Sequence, residues 1–347
     1  MVQHSQEDQE EELAFLWERS RLFKQIYSSR PKPHESRMNL NDNIRSFRSV
    51  AFTALFLASM VVGWHPLLST LRLAVRSDEN THILLILPIS FAFICAEWQS
   101  VRVFEASKTG YGLVVLCAAG LLATLSRLHN AWMTADLRLS IEMLALVSGW
   151  IGSFALCFGA RVCRALLFPL GFLFCMVPLP AFALDGIVSY LQQGSVVAAR
   201  SLFAVTGIPV VQNGFLLTIP GLTIEVAKEC SSIRSSLLLL ITTPVLAQLL
   251  VRSPRKKAFV VALAVPLSVA KNGLRIFIIA LLGTRVNPGF LTGKLHQQGG
   301  IVFFVVALLA IFLVVRVLEF GEKRASKTRS KCPSVEVVRP SPAFAIK

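Results

Sequence analysis

Long apolar stretches separated by short polar segments dominate the chain between residues 49 and 318. A helix needs roughly 17–25 mostly apolar residues to cross a hydrocarbon core of about 30 Å. The apolar stretches approach or reach that length about eight times. They predict an all-α integral membrane protein with about eight transmembrane helices, near residues 49–69, 82–98, 110–126, 141–160, 164–184, 233–251, 258–283 and 299–318.

The segment 185–230 is the longest stretch between predicted spans. Residues 185–206 are mildly amphipathic, which is typical of a helix that lies at the membrane interface or dips into it. In residues 215–226 apolar and polar side chains alternate on either side of Pro220 and Gly221. This alternation predicts a short β-hairpin that leads the chain directly to Cys230.

Charge adds the orientation in the membrane. The formal net charge is +15, which alone would also suit a nucleic-acid partner. The basic residues, however, lie in the two tails and in alternate loops, and the short loop 252–257 (Arg-Ser-Pro-Arg-Lys-Lys) is the clearest cytoplasmic marker. We therefore expect both termini in the cytoplasm and no nucleic acid as a partner.

The same reasoning divides the chain into three parts. Residues 1–48 are predicted to be a cytoplasmic tail, and residues 49–320 a transmembrane domain with an outer loop at 185–230. Residues 321–347 form a basic cytoplasmic tail with affinity for anionic membrane lipids. No cleavable signal peptide is evident before the first predicted span.

The seven cysteines give neither a zinc-binding spacing nor a disulfide framework, so no metal and no cofactor is predicted. Six of them lie in or beside apolar spans or in the C-terminal tail. Cys230 differs, because it stands at the predicted outer start of the sixth span.

Three polar side chains meet in this topology. Cys230 precedes the sixth span, Arg275 lies in the outer part of the seventh, and His296 opens the eighth. A thiolate is the nucleophilic form of cysteine, and a helix N-terminus with nearby cations such as Arg234 lowers the pKa of the thiol. Acyl transfer also needs a base and an oxyanion donor, which are the expected roles of His296 and Arg275.

Each of these residues also has an ordinary structural interpretation. A cysteine beside an apolar helix is usually a small buried hydrophobic residue, and a histidine at a helix start is often a polar cap. Arg275 could reach the interface by snorkelling, although an arginine within a span costs roughly 2.5–3.5 kcal/mol on insertion scales. The hypothesis of a catalytic site rests on the convergence of the three.

Three motifs resemble the three signatures of the exosortase/archaeosortase family: Cys230-Ser-Ser-Ile-Arg-Ser235, Asn272-x-x-Arg275 and His296-x-x-x-Gly300. The members of this family are membrane-embedded cysteine transpeptidases. The span at 168–180 and the hairpin before Cys230 are also similar to the family's pattern. The resemblance covers roughly residues 50–318. Ser232 stands where the family usually has glycine, a residue that allows closer backbone approach.

This resemblance implies protein sorting at the outer face of the cytoplasmic membrane of a bacterium or archaeon. The partners would be exported proteins with a C-terminal signal made of a Pro-containing motif, one transmembrane helix and a basic tail. Cys230 would form a thioester, Arg275 would stabilise the oxyanion, and His296 would act as base and acid. Asn272 either orients the guanidinium of Arg275 or links two helices.

Two other functions are compatible with parts of the pattern. A transporter or channel would use Arg275 and Lys271 to line an anion path, but the chain has no detectable repeated halves, and Cys230 and His296 would stay unexplained. A membrane acyltransferase would carry a lipid acyl group on Cys230. The substrate distinguishes the three: a transported solute, an acyl lipid or a truncated protein.

Overall fold

The computed structural model describes residues 35–77, 79–101, 110–129, 132–226, 233–287, 289 and 294–330. Within these ranges the side chains are described for residues 46–319, except for residues 100, 233 and 294–299. The described chain is mostly helical, in agreement with the predicted all-α class. Its helices are α1 Glu35–Val62, α2 Trp64–Arg76, α3 Ile83–Val101, α4 Gly110–Leu128, α5 Ala135–Phe158, α6 Ala160–Ala165, α7 Leu167–Phe172, α8 Ala181–Val205, α9 Ile233–Leu250, α10 Pro254–Arg285 and α11 Lys294–Ser330.

Four of the described helices are long and apolar enough to cross a membrane: α4, α5, α10 and residues 300–319 of α11. Two bent pairs bring the number to six if each pair is one span. The other two predicted spans coincide with shorter apolar helices, at Ile83–Gln99 and Arg234–Leu250. The chain is thus a multi-pass membrane protein, and the count of eight spans stays a prediction.

The structure differs from the sequence-based prediction around the fifth span. A short 3₁₀ helix, Leu173–Met176, follows α7, and the chain then bends by 99° before α8 begins. Pro178 and Pro180 explain the break, because proline lacks a backbone donor and disfavours helix before it. The predicted span end at residue 184 therefore falls inside α8, which also contains all but the last residue of the predicted interface helix 185–206.

Helix α8 packs lengthwise on α10, and the two run in the same direction. Gly194 of α8 meets the side chain of Val269, and Gly273 of α10 meets Ala198 and Ala199. Further along both helices, the rings of Phe203 and Phe277 pack edge to face at 5.0 Å. The contacts therefore advance together along the two sequences.

A three-stranded antiparallel sheet follows α8, with strands β1 Val211–Asn213, β2 Leu216–Ile219 and β3 Leu222–Glu225 in that order. The predicted hairpin at 215–226 falls on β2 and β3, where Ile219 pairs with Leu222. Pro220 and Gly221 form the turn, and Gly221 has a φ of 82°, as position i+2 of a type II turn requires. Leu217 and Ile219 face the protein interior while Leu216 and Thr218 are exposed.

Two apolar clusters hold this half of the protein together. One joins the sheet to α8 and α10, and its buried members are Val196, Ala199, Phe203, Leu217, Ile219, Val226, Ile276 and Ala280. The other joins α9, α10 and α11 through Leu239, Ala247, Val251, Val260, Ala264, Ala307, Ile311 and Val315. The last three helices thus form one packed unit, with α8 and the sheet against α10.

Candidate functional site

Helices α9 and α10 are antiparallel neighbours, and two hydrogen bonds fix how they are aligned. Near the short connection between them, Lys257 Nζ donates to Gln248 Oε1 at 2.6 Å. At the far end, Lys271 Nζ donates to Ser235 Oγ at 2.5 Å. One helical turn beyond Lys271, Arg275 therefore reaches the level at which α9 begins.

A third contact aligns α10 with α11. Lys256 Nζ donates to the carbonyl of Leu318 at 3.2 Å, so the start of α10 lies beside the later part of α11. Arg275 follows Lys256 by 19 residues, and His296 precedes Leu318 by 22. At 1.5 Å per residue these distances are about 29 and 33 Å. The backbone of His296 is thus within about one turn of the level of Arg275.

The consequence is that three parts of the chain lie at one level of the packed unit. They are the start of α9, the part of α10 around Arg275, and the start of α11. In the sequence, Cys230 stands three residues before Ile233, the first residue of α9. The sheet lies at the same end, because Val226, four residues before Cys230, packs with Ile276 and Ala280.

Polar side chains are buried on α10 at this level. Asn272 is 1% exposed, and Lys271 and Arg275 are each 5% exposed. Lys271 and Arg275 are one turn apart and share a face of the helix. Since Lys271 contacts α9, the same face directs Arg275 toward the start of α9.

Lys271 bonds to two neighbouring hydroxyls. Besides Ser235, its ammonium lies 3.4 Å from Ser236 Oγ. Both serines are buried in the first turns of α9. Among the described residues no carboxylate forms an ion pair with Lys271, so hydroxyls are its hydrogen-bond partners in that part of the chain.

Asn272 points toward a different helix. Its Nδ2 donates to Ser195 Oγ of α8 at 2.9 Å, and Ser195 in turn donates to the carbonyl of Leu191 at 2.6 Å. The carbonyl oxygen of Asn272 is buried and has no hydrogen-bond partner among the described groups. The structure thus shows Asn272 as a link between α10 and α8 and leaves its oxygen available.

One turn back on α8, Gln192 bonds to the chain that leaves the sheet. Its Nε2 donates to the carbonyl of Val226, and both residues are buried. Together with the Lys271 contacts, this bond holds the residues that flank 227–232. Side chains of α8 and α10 therefore fix the described chain on both sides of the segment that contains Cys230.

The structure describes some of the site residues predicted from the sequence but not all of them. Arg275 and Asn272 are buried on α10 as described above, and Arg234 lies in the first turn of α9 with an exposed side chain. Cys230 lies outside the described residues. His296 belongs to the first turn of α11, and its side chain also lies outside them. The catalytic assignments of Cys230, Arg275 and His296 stay predictions.

Two neighbours of the site did not stand out in the sequence. Gln192 and Ser195 are buried, and Gln192 donates to the carbonyl of Val226 while Ser195 accepts from Asn272 of α10. For Gln192 and Ser195 a signal existed, since they fall on the stripe of α8 that also contains Val188, Leu191 and Val196. Polar residues on the buried stripe of an amphipathic helix indicate a specific partner.

The five described free cysteines lie outside α8 to α11, at Cys95, Cys117, Cys157, Cys163 and Cys175. None of the described residues forms a group of three or more His, Cys, Asp or Glu side chains suited to a metal ion.

Comparison with known proteins identifies the family. The model of the transmembrane exosortase family matches residues 74–313, more than half of the 347-residue chain. No curated protein and no solved structure matches. The matched range contains Cys230, Arg275 and His296 together with α8 and the sheet. The chain therefore belongs to the transmembrane exosortase family, whose members are membrane-embedded sorting enzymes.

Proposed function

We propose that the protein is a cysteine endopeptidase and transpeptidase that cleaves the C-terminal sorting signal of exported proteins through a thioester on Cys230. The observation that supports this most is the common level of the start of α9, Arg275 and the start of α11. Acyl transfer needs a nucleophile, an oxyanion donor and a proton carrier within reach of one carbonyl. Cys230, Arg275 and His296 supply one of each.

In the first half-reaction the Cys230 thiolate adds to the scissile carbonyl, and Arg275 stabilises the oxyanion. The carbon–nitrogen bond then breaks, His296 protonates the leaving amine, and the C-terminal helix of the substrate departs. In the second half-reaction His296 takes a proton from an amine, a hydroxyl or water. That acceptor attacks the thioester and releases Cys230.

The charges around the start of α9 suit a thiolate. Arg234 lies in the first turn of α9, and Arg275 lies on the neighbouring face of α10. Cations and a helix N-terminus both favour the anionic form of a cysteine. Arg234 therefore supports the nucleophile, and Arg275 serves both the thiolate and the oxyanion.

The position of the basic loop supports an outer-face site. The basic residues between Arg252 and Lys257 lie in the connection from α9 to α10 and in the first turn of α10, at the end opposite to Arg275. By the positive-inside rule that loop is cytoplasmic, so the proposed site opens on the outer face. A substrate anchored by one helix with a basic cytoplasmic tail presents the bond before that helix at the same face.

The test compares cysteine variants in cells of the source organism. The probe is an epitope-tagged exported protein from that genome that ends in a Pro-containing motif, a single hydrophobic helix and a basic tail. Cys230→Ala and Cys230→Ser should both stop its truncation, since a serine hydroxyl lacks an accessible anion. Cys117→Ser, at an exposed position on α4, should process it normally.

Labelling tests the orientation in the same cells. A membrane-impermeant maleimide added outside should label Cys230, and Cys230→Ala should lose that label. Truncation by Cys230→Ala would exclude the covalent mechanism, and labelling only after cell lysis would contradict the outer-face site. Solute uptake or acyl-lipid turnover that depends on Cys230, without truncation of the probe, would favour the transporter or the acyltransferase.

A further inference from the structure

Lys271 lies near the middle of α10, 17 residues after Pro254 and 14 before Arg285. It is 5% exposed, and its ammonium contacts Ser235 and Ser236. A buried charged side chain within a membrane helix is expensive to place, and such residues are mostly functional. The proposed reaction assigns no step to it.

Stability does not explain this lysine. Apolar residues of similar volume often replace buried charged groups at no cost or with a gain in stability. The next charged residue along α10 is Arg275, one turn away on the same face, and like charges at this spacing repel. A residue that is unfavourable in both respects needs another reason for its presence.

Its contacts supply that reason. An ammonium has three donors, and Lys271 directs two of them to the adjacent hydroxyls of Ser235 and Ser236 in the first turns of α9. Those turns follow Cys230 by only a few residues. The same lysine stands one turn from Arg275, so a single side chain connects the helix after the nucleophile to the helix of the oxyanion donor.

We propose that Lys271 is a positioning residue: through Ser235 and Ser236 it fixes the start of α9 against α10 and so sets the separation of Cys230 from Arg275. This inference rests on the proposed function. Lys271 itself touches no reacting atom. Its effect is on the rate of the chemical step, because a displacement of about 1 Å can cost about 10²-fold in rate.

The protein provides a matched control. Lys257 also joins α10 to α9, through Gln248, but at the opposite end of the two helices. Lys257→Met therefore removes a lysine contact from the same helix pair without disturbing the region of Arg275. Any general effect of loosening α9 from α10 should be visible in this variant.

The experiment uses full-length protein in lipid nanodiscs and two probes. Iodoacetamide alkylation of Cys230, followed by peptide mass spectrometry, reports the reactive thiol without a substrate. Single-turnover cleavage of the tagged exported protein reports the chemical step. Lys271→Met should lower both rates, cleavage by about 10–100-fold, with unchanged KM and an unchanged or raised unfolding temperature. Lys257→Met should stay within about 3-fold of the wild type.

Lys271→Gln separates positioning from charge. Glutamine has two amide donors and no charge, so it should recover most of the rate that methionine loses. Equal losses in the methionine and glutamine variants would assign Lys271 to electrostatics and overturn the inference. Wild-type rates in Lys271→Met, or losses matched by Lys257→Met, would overturn it as well.

Two further results keep this inference separate from the proposed function. If Cys230→Ala still cleaves the probe, the proposed function fails irrespective of Lys271. If Cys230→Ala is inactive and Lys271→Met is fully active, only the positioning role fails. Should Lys271→Met not accumulate, Ser235→Ala carries the same test, because it removes one of the two hydroxyls and should lower the cleavage rate with KM unchanged.

Discussion

The helix pair α4 and α5 and the helix pair α8 and α10 achieve close packing in the same way. A β-carbon on Gly112 of α4 would lie 2.3 Å from the backbone nitrogen of Leu156. A β-carbon on Gly273 of α10 would lie 2.5 Å from that of Ala198. Small residues allow membrane helices to approach closely where no hydrophobic effect drives them together.

The two pairs differ in what they bury. The buried hydroxyls of α4 and α5 include Ser126 and Ser140, which bond to backbone carbonyls of their own helices. Helices α8 and α10 bury two amides and two cations, Gln192, Asn272, Lys271 and Arg275. Van der Waals contact thus suffices to pack two helices of this protein. The additional polar groups on α8 and α10 mark a candidate functional region, because buried ionisable residues in membrane helices are mostly functional.

The largest expected effect comes from Arg275→Lys. If Arg275 had only a structural role, a lysine at this position would keep the positive charge and serve as well. If Arg275 is an oxyanion donor, the Arg275→Lys variant lacks the rigid planar guanidinium that forms the hydrogen bonds. One missing oxyanion donor costs about 10²–10³ in rate, or roughly 3–4 kcal/mol. The measurement is single-turnover cleavage of the tagged exported protein, with hydroxylamine to trap the thioester.

Arg316→Lys is the control, because Arg316 of α11 is partly exposed and pairs with Glu319 at 3.7 Å. It should cleave at the wild-type rate at matched protein level. Thioester formation by Arg275→Lys at that same rate would assign Arg275 to structure, and the polar burial on α10 would then need another explanation.

A smaller effect, on stability alone, is expected at the glycine contact of the other pair. Gly112→Ala places a methyl group against the backbone of α5, which overpacks the interface and should cost about 1–3 kcal/mol of unfolding free energy. Gly120→Ala, on the same helix with no atom within 4 Å of its β-carbon, should be neutral. Thermal unfolding in detergent measures both.

Cysteine reactivity sharpens this result. In the folded Gly112→Ala variant, iodoacetamide should alkylate Cys230 at the wild-type rate, because α4 and α5 carry no part of the proposed site. A loss of Cys230 reactivity in proportion to the loss of stability would mean that the two helix pairs are not separable in function.

How far the sequence predicts this structure depends on what positions each residue. The sixth predicted span, 233–251, nearly coincides with α9, since apolar length alone decides where such a helix lies. The break before α8 was missed because the apolar stretch continues through Pro178 and Pro180. The mean hydropathy of a stretch of residues does not show that the helix axis changes direction at these prolines.

The site divides in the same manner. The burial of Arg275 and its position beside the start of α9 agree with the order of spans, which the sequence gives directly. The bonds from Lys271 to Ser235 and from Asn272 to Ser195 depend on the rotation of each helix about its axis. Neighbouring helices set that rotation, so no pattern within α10 alone predicts which residue each side chain meets.

The smallest expected effect separates the two roles open to Asn272. The bond from its Nδ2 to Ser195 is an interhelical link of a kind that averages about 0.6 kcal/mol in membrane proteins. As a link only, Asn272→Ala, Ser195→Ala and the double variant should lose the same small amount of stability, with cleavage rates within about 2-fold of the wild type. If the buried carbonyl oxygen of Asn272 also orients Arg275, Asn272→Ala should slow cleavage well beyond Ser195→Ala at equal stability.

Unfolding free energies and single-turnover rates for the wild type and the three variants decide between these outcomes. An additive loss of stability in the double variant would show that the bond itself contributes nothing measurable, and the contact between α8 and α10 would then rest on Gly273 and its alanine neighbours.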